Sequence, residues 1–189
     1  MIADGHADVT VMFADLVGFS KMSDSLSAQQ IVLLLNRLFS GFDAIADLHG
    51  LEKIKTIGDA YMCVGGLQPE AGEDYLYQVL LAAEEFNTFI SSELSGEFAD
   101  LDLRLHIGIA TGAVVAGVIG RTRLTYDVWG KTVNMASRLC DGSLPGQVLL
   151  DRTSRQRMEQ YFEFHHVPDL TLKGGSHLPA YELLRQKSS

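Results

Sequence analysis

Residues 51–66, LEKIKTIGDAYMCVGG, read as two short strands, LEKIKTI and AYMCVGG, folded about a tight Gly58-Asp59 turn. Outward from this hairpin the chain becomes helical on both sides. Upstream, Ser27 is placed to cap a helix in which Ile31, Leu34, Leu35, Leu38, Phe39, Phe42, Ile45 and Leu48 recur at helical spacing, and Gly50 ends it. Downstream, EDYLYQVLLAAEEFNTFISSELS sets Leu76, Val79, Leu80, Ala83, Phe86 and Ile90 on one helical face.

Beyond these helices lie strands again. VTVMFA, residues 9–14, is β-branched and aromatic and ends at Asp15, and a Gly- and Ser-rich loop, LVGFSKMSDSLS, follows it. On the far side, LDLRLHIGIATG and AVVAGVIG read as two strand-like pieces whose glycines imply tight turns or close backbone approaches. The order strand, helix, strand, strand, helix, strand is an α+β, ferredoxin-like split βαβ core. After LTYDVWG comes a short helix, KTVNMASRLCDG. The remaining pieces, QVLLD, a helical turn around TSRQRMEQ, FEFHHV, LTLKGG and AYELL, add strands and helices on the C-terminal side. The expected organisation is a tail over 1–8, one domain over 9–184 and a tail over 185–189.

Composition bounds what this domain does. The chain has 189 residues, 47% of them hydrophobic, enough for a core without staples. With 15 Lys+Arg against 24 Asp+Glu the net charge is −9, which argues against a broad basic surface for nucleic acid or anionic lipid. Cys63 and Cys140 sit in apolar runs and form no close-spaced ligand pair, so they are expected as buried free thiols in a reducing, cytoplasmic setting. No segment has the length of apolar sequence that a membrane helix needs, and none resembles a signal peptide.

Asp15 and Asp59 are the first candidates for chemistry. In a split βαβ fold the first and third strands are neighbours, so two carboxylates 44 positions apart in sequence meet in space. Such a pair repels unless a cation lies between them, and hard oxygen ligands favour Mg²⁺ or Mn²⁺. The same two residues could also be ordinary turn formers. Gly18 and the backbone through Phe19 and Ser20 stand where free amides favour phosphate. Asn134 and Arg138, spaced i, i+4, share a helix face, and Arg supplies a fork of donors suited to phosphate oxygens.

Four blocks in order, FADLVGFS, EKIKTIGDAYM, IGIATGAVVAGVIG and YDVWGKTVNMASRL, closely resemble the class III adenylyl and guanylyl cyclase catalytic domain, from about Val9 to about Leu184. The resemblance implies roles position by position. Asp15 and Asp59 match the residues that bind two metal ions per site, with the Leu16 carbonyl as a further ligand. Lys55 and Asp127 match the pair that reads the purine, Asn134 and Arg138 the pair that orients the ribose and stabilises the reacting phosphate, and Lys173 a lysine near the triphosphate. Adenine offers an acceptor at N1 and a donor at N6, which a Lys and an Asp complement; guanine reverses that polarity. Family members often carry an Arg two residues before the first Gly of the third block, where this chain has His106, with Arg104 two places earlier.

The resemblance therefore implies conversion of ATP to 3′,5′-cyclic AMP and pyrophosphate in a head-to-tail homodimer, since the family builds each site between two catalytic domains. Upstream regulatory or membrane-anchoring domains outside the chain remain open. The alternatives are a guanylyl cyclase, disfavoured by Lys55 and Asp127, and a catalytically silent domain that only binds nucleotide or dimerises. A diguanylate cyclase shares the split βαβ core but carries a GG(D/E)EF block that is not present here.

Overall fold

The computed structural model describes residues 2–68, 72, 74–92, 98–172 and 175–188. In chain order the elements are β1 (Ile2–Leu16), α1 (Phe19–Ser23), α2 (Ala28–Leu48), β2 (Glu52–Ile57), β3 (Ala60–Gly65), α3 (Tyr75–Ser92), β4 (Leu105–Ile119), β5 (Thr125–Trp129), α4 (Lys131–Gly142), β6 (Val148–Leu150), α5 (Arg152–Met158), β7 (Phe162–Thr171) and β8 (His177–Gln186). One mixed sheet runs β2-β3-β1-β4-β6-β8-β7, with β5 also paired to β4. Its first four strands have the order of the split βαβ core, and β6, β8 and β7 extend it with the C-terminal part of the chain.

Side-chain alternation on β1 divides the core in two. Met12, Ala14 and Leu16 point to the cluster under α2 and α3, while Val9, Val11 and Phe13 point to the opposite face, where Ala136, Leu139 and Cys140 of α4 cover them. Asp15 continues the second series, so its position in the pattern sends it to the α4 side. α2 begins with a capping box, in which the Ser27 hydroxyl accepts from the Gln30 amide and the Gln30 side chain accepts from the Ser27 amide. It buries Leu34, Leu38, Phe42 and Ala46. Phe42 stacks on Phe86 of α3 at 4.3 Å, which joins the two helices on one side of the sheet.

Several expectations change. β8 runs to Gln186, so residues 185 and 186 are strand and not tail, and β7 joins FEFHHV to the start of LTLKGG in one strand through Thr171. β1 begins at Ile2, not Val9: residues 2–6, expected as a tail, pair with β4 at Val118 to Val114, and the register shifts between His6 and Val9. The two strand-like pieces over 101–120 are one strand, β4, because its glycines serve close approach and not turns. A Cβ on Gly108 would lie 2.2 Å from the Ala136 carbonyl oxygen and 2.2 Å from the Cys140 amide nitrogen, so glycine is what lets α4 rest on the sheet. The start of the loop after β1 also winds into the short helix α1, led by Gly18 in the left-handed region at φ 65°. Cys63 and Cys140 are buried and unbridged, as expected.

Candidate functional site

Asp15 ends the α4-facing series of β1 and pairs in register with Ala60, the residue after Asp59 in the β2–β3 turn. The turn thus delivers the second carboxylate beside the first. Asp15 is half-buried and its Oδ1 is fully enclosed without a hydrogen-bond partner. Burial first, then hydrogen bonding with and repulsion from Asp59, then the charge of Asp141, push the Asp15 carboxyl up to about 7. Two facing carboxyls with an orphaned oxygen are a donor set for a hard cation. Among the described residues no group of three His, Cys, Asp or Glu is arranged around one point. That is compatible with Mg²⁺, which is commonly held by one or two carboxylates and completed by water and substrate phosphate. The Leu16 side chain is buried in the α2/α3 core, so only its carbonyl is available for such a role.

The phosphate candidates follow immediately. The first helical hydrogen bond of α1 runs from the Met22 amide to the Gly18 carbonyl, so the amides of Phe19 and Ser20 precede it and have no intrahelical acceptor. The Phe19 ring packs against the core while Ser20 is exposed, which anchors the loop and leaves its backbone facing outward.

Lys55 and Asp127 lie 72 positions apart and meet directly. Lys55 Nζ donates to Asp127 Oδ2 at 2.6 Å, with the carboxylate only 15% exposed. Asp127 Oδ1 accepts from the Val128 amide at 2.8 Å, which fixes the carboxylate. The contact exists because β5 folds back along the twisted β4 arm until it touches β2. Asn134 and Arg138 are exposed on α4, whose orientation is set by Gly108 and by Thr132 Oγ1 donating to the Ala113 carbonyl at 2.8 Å. Lys173 lies outside the described residues.

Two neighbours of this site, Asp141 and Cys140, were not expected from sequence, and His106, noted there only as standing in place of an Arg, joins them. Asp141 acts on Asp15 electrostatically from the end of α4, and its position three residues after Arg138 on the same helix face was the available signal. Cys140 donates its thiol to the His106 carbonyl at 3.3 Å, and burial raises its pKa, with the nearby Asp15 and Asp141 adding to the effect. His106 pairs in register with Asp15 and sets its Nδ1 3.3 Å from Ser143 Oγ. That hydroxyl donates to the Cys140 carbonyl, so the imidazole Nδ1–H is the donor in the His106–Ser143 contact.

The arrangement matches known proteins. The description of the adenylate and guanylate cyclase catalytic domain matches residues 1–185. An adenylate cyclase of Mycobacterium tuberculosis is 36% identical over 187 residues, covering 99% of this chain and 42% of that protein. The receptor-type guanylate cyclase gcy-23 of Caenorhabditis elegans is 34% identical over 182 residues, covering 95% of this chain and 17% of the relative. This chain therefore spans less than half the length of these relatives. Among solved structures, the guanylate cyclase domain of RhGC from Catenaria anguillulae, in complex with GTP, superimposes with a TM-score of 0.89 at 29% identity, covering 97% of this chain and all of that one.

Proposed function

Because the chain belongs to the adenylate and guanylate cyclase catalytic-domain family, we propose that it is an adenylyl cyclase catalytic domain, converting ATP to 3′,5′-cyclic AMP and pyrophosphate. The observation that carries the choice of base is the ion pair between Lys55 and Asp127. It presents an ammonium donor and a carboxylate acceptor side by side in a partly desolvated place. Adenine N1 accepts from the first and its N6 amine donates to the second. Guanine sets an N–H against the ammonium and a carbonyl against the carboxylate, leaving both protein groups unpaired, the kind of mismatch that discriminates strongly.

The rest of the site serves in-line attack of the ribose 3′-hydroxyl on the α-phosphorus, with pyrophosphate leaving and the hydroxyl proton passing to water or substrate phosphate. Asn134 holds the ribose, Arg138 stabilises charge growing on the α-phosphate, and the Gly18–Ser20 amides receive phosphate oxygens. Two divalent ions, Mg²⁺ or Mn²⁺, held by Asp15, Asp59 and the Leu16 carbonyl would supply Lewis-acid activation and charge neutralisation at the phosphates.

The reading places each site between two copies of the chain, head to tail, with Asp15 and Asp59 from one copy and the base, ribose and phosphate contacts of Lys55, Asp127, Asn134 and Arg138 from the other. The outward presentation of Asn134 and Arg138 supports that division. The experiment is a product assay with ATP and GTP side by side in Mg²⁺ and in Mn²⁺. Cyclic AMP as the dominant product is expected. Cyclic GMP as the dominant product would reverse the base assignment, and no cyclic nucleotide from either would leave the silent-domain alternative.

A further inference from the structure

α2 meets α3 through contacts of two kinds. Phe42 stacks on Phe86, and about two turns further along α2 the contact is polar. His49 ends α2 with its side chain only 8% exposed, and both of its ring nitrogens face α3. Nδ1 lies 2.7 Å from Gln78 Oε1, and Nε2 lies 2.9 Å from Glu85 Oε1. Gln78 Nε2 donates to Asp74 Oδ2 at 3.2 Å, which turns the amide oxygen toward the ring. Each ring nitrogen therefore meets an oxygen that can only accept, whereas a neutral imidazole carries one N–H. The other charged groups lining the cleft beside His49 are Asp47 on α2, Glu52 and Lys53 on β2, and Asp74 just before α3. Lys53 is occupied by Asp43, at 3.0 Å. Directly after His49, Gly50 at φ 66° and Leu51 lead into β2 and the hairpin that carries Lys55 and Asp59.

We propose that His49 is a pH-sensitive clamp between α2 and α3, closed while its ring carries both protons and opened by the loss of one. Loss of the Nε2 proton sets a lone pair against the Glu85 carboxylate, which repels it. Loss of the Nδ1 proton sets a lone pair against Gln78 Oε1. Turning the Gln78 amide over would relieve that contact, but it would break the bond to Asp74 and point the amide oxygen at the Asp74 carboxylate. The neutral ring thus cannot keep every contact, and the junction has two discrete arrangements. The folded chain gains both bonds from the charged ring, so their stabilisation is present at lower pH and is lost as pH rises through the titration of the ring, in the range where imidazole changes charge. Opening also frees the root of the β2–β3 hairpin, and with it the placement of Lys55 and Asp59. The clamp stands on these contacts alone, and only its effect on turnover rests on the reading of the chain as a nucleotide cyclase.

The test uses the full chain with His49→Gln, which cannot titrate, and Glu85→Gln, which changes a half-exposed partner. The first readout is nitrogen NMR of histidine-labelled protein, which reports the protonation of each ring nitrogen and does not depend on turnover. The His49 ring, identified by the signal missing from His49→Gln, should carry two protons at about pH 6 and lose one as pH rises, and Glu85→Gln should move that step to lower pH. Should His49→Gln not fold, the shift in Glu85→Gln identifies the ring. The second readout is thermal unfolding. The wild type should melt about 3–6 °C above His49→Gln at about pH 6, and the difference should vanish by about pH 9. Asp15 titrates alike in both chains and cancels from that difference. The third is kcat with ATP, which should fall above neutral pH in the wild type and follow a flatter profile in His49→Gln. A neutral His49 ring in the wild type at about pH 6, or a melting difference that does not change with pH, would overturn the clamp. Parallel kcat profiles with the clamp otherwise observed would overturn its link to the hairpin. A chain that makes no cyclic nucleotide would instead overturn the functional reading, with NMR and melting still deciding the clamp.

Discussion

Replacing Asp15 with asparagine should make the metal-free protein more stable while removing the carboxylate proposed to hold metal. The Asp15 carboxyl is raised from 3.8 to about 7 by burial, Asp59 and Asp141. A carboxyl that is harder to ionise in the folded chain than in the unfolded one binds extra protons when folded, so stability falls as pH rises between those two values and stays reduced above the higher one. A difference of that size corresponds to about 4 kcal/mol. The carboxyl is only half-buried, and water screening reduces this to roughly 1–2 kcal/mol. Asparagine keeps the shape and discards the charge, so Asp15→Asn should melt roughly 2–8 °C higher than the wild type at pH 8 in a chelator. Near pH 4 the two should melt together. Adding Mg²⁺ or Mn²⁺ at pH 8 should raise the melting temperature of the wild type far more than that of the variant, because a ligand stabilises only the state that binds it. The assay is thermal unfolding by circular dichroism across pH, with and without the ion. A variant less stable than wild type at pH 8, or an advantage of equal size at pH 4, would refute the electrostatic argument.

Two other substitutions probe what positions the site. Lys55→Glu with Asp127→Cys reverses the donor and acceptor at the purine edge and should move the kcat/KM preference from ATP toward GTP; an unchanged preference would take both residues out of the base pocket. Gly108→Ala drives a methyl group into the backbone of α4 at 2.2 Å. It should destabilise the fold by about 1–3 kcal/mol and lower kcat by displacing Asn134 and Arg138, and wild-type melting and kcat would show that α4 does not depend on this contact.

The parts of the fold that were legible in sequence are those where burial and period agree. The α2 stripe, the hairpin about Gly58-Asp59 and the apolar run of β1 each signal one structure, and each forms it. The N-terminal half of β1 does not advertise itself. Ala3, Asp4, Gly5 and His6 are largely exposed on a two-sided arm, so no alternation marks them, and only pairing with β4 makes them a strand. Gly108, Gly112 and Gly117 broke the β4 pattern for a tertiary reason: their missing side chains admit α4, Thr132 and the β1 arm. The closeness of Asp15 and Asp59 was legible from topology, whereas their chemistry was not, since the same residues serve equally as turn formers. The Lys55–Asp127 contact was not, because it depends on how far the β4–β5 arm curls back, a cumulative twist that no local pattern encodes. Asp141 and the His106–Ser143 pair escaped for the same kind of reason, since their relation to Asp15 arises from the docking of α4 across the sheet.

The central claim, that each site is assembled from two chains, is tested most directly by mixing two inactive variants. On that account a chain with Asp15→Ala would lack a metal carboxylate and a chain with Arg138→Ala the phosphate-stabilising cation, so each homodimer should be inactive. In a mixed dimer one site collects both lesions and the other none. Random exchange at equal concentration makes about half the dimers mixed, each with one intact site of two, so cyclic AMP production should return to about a quarter of the wild-type rate. The measurement is cyclic AMP formation by each variant alone and by the mixture, after a tagged pull-down confirms subunit exchange. Recovery near a quarter is the predicted result; no recovery despite confirmed exchange would mean that each chain builds its site alone, contradicting the shared-site account.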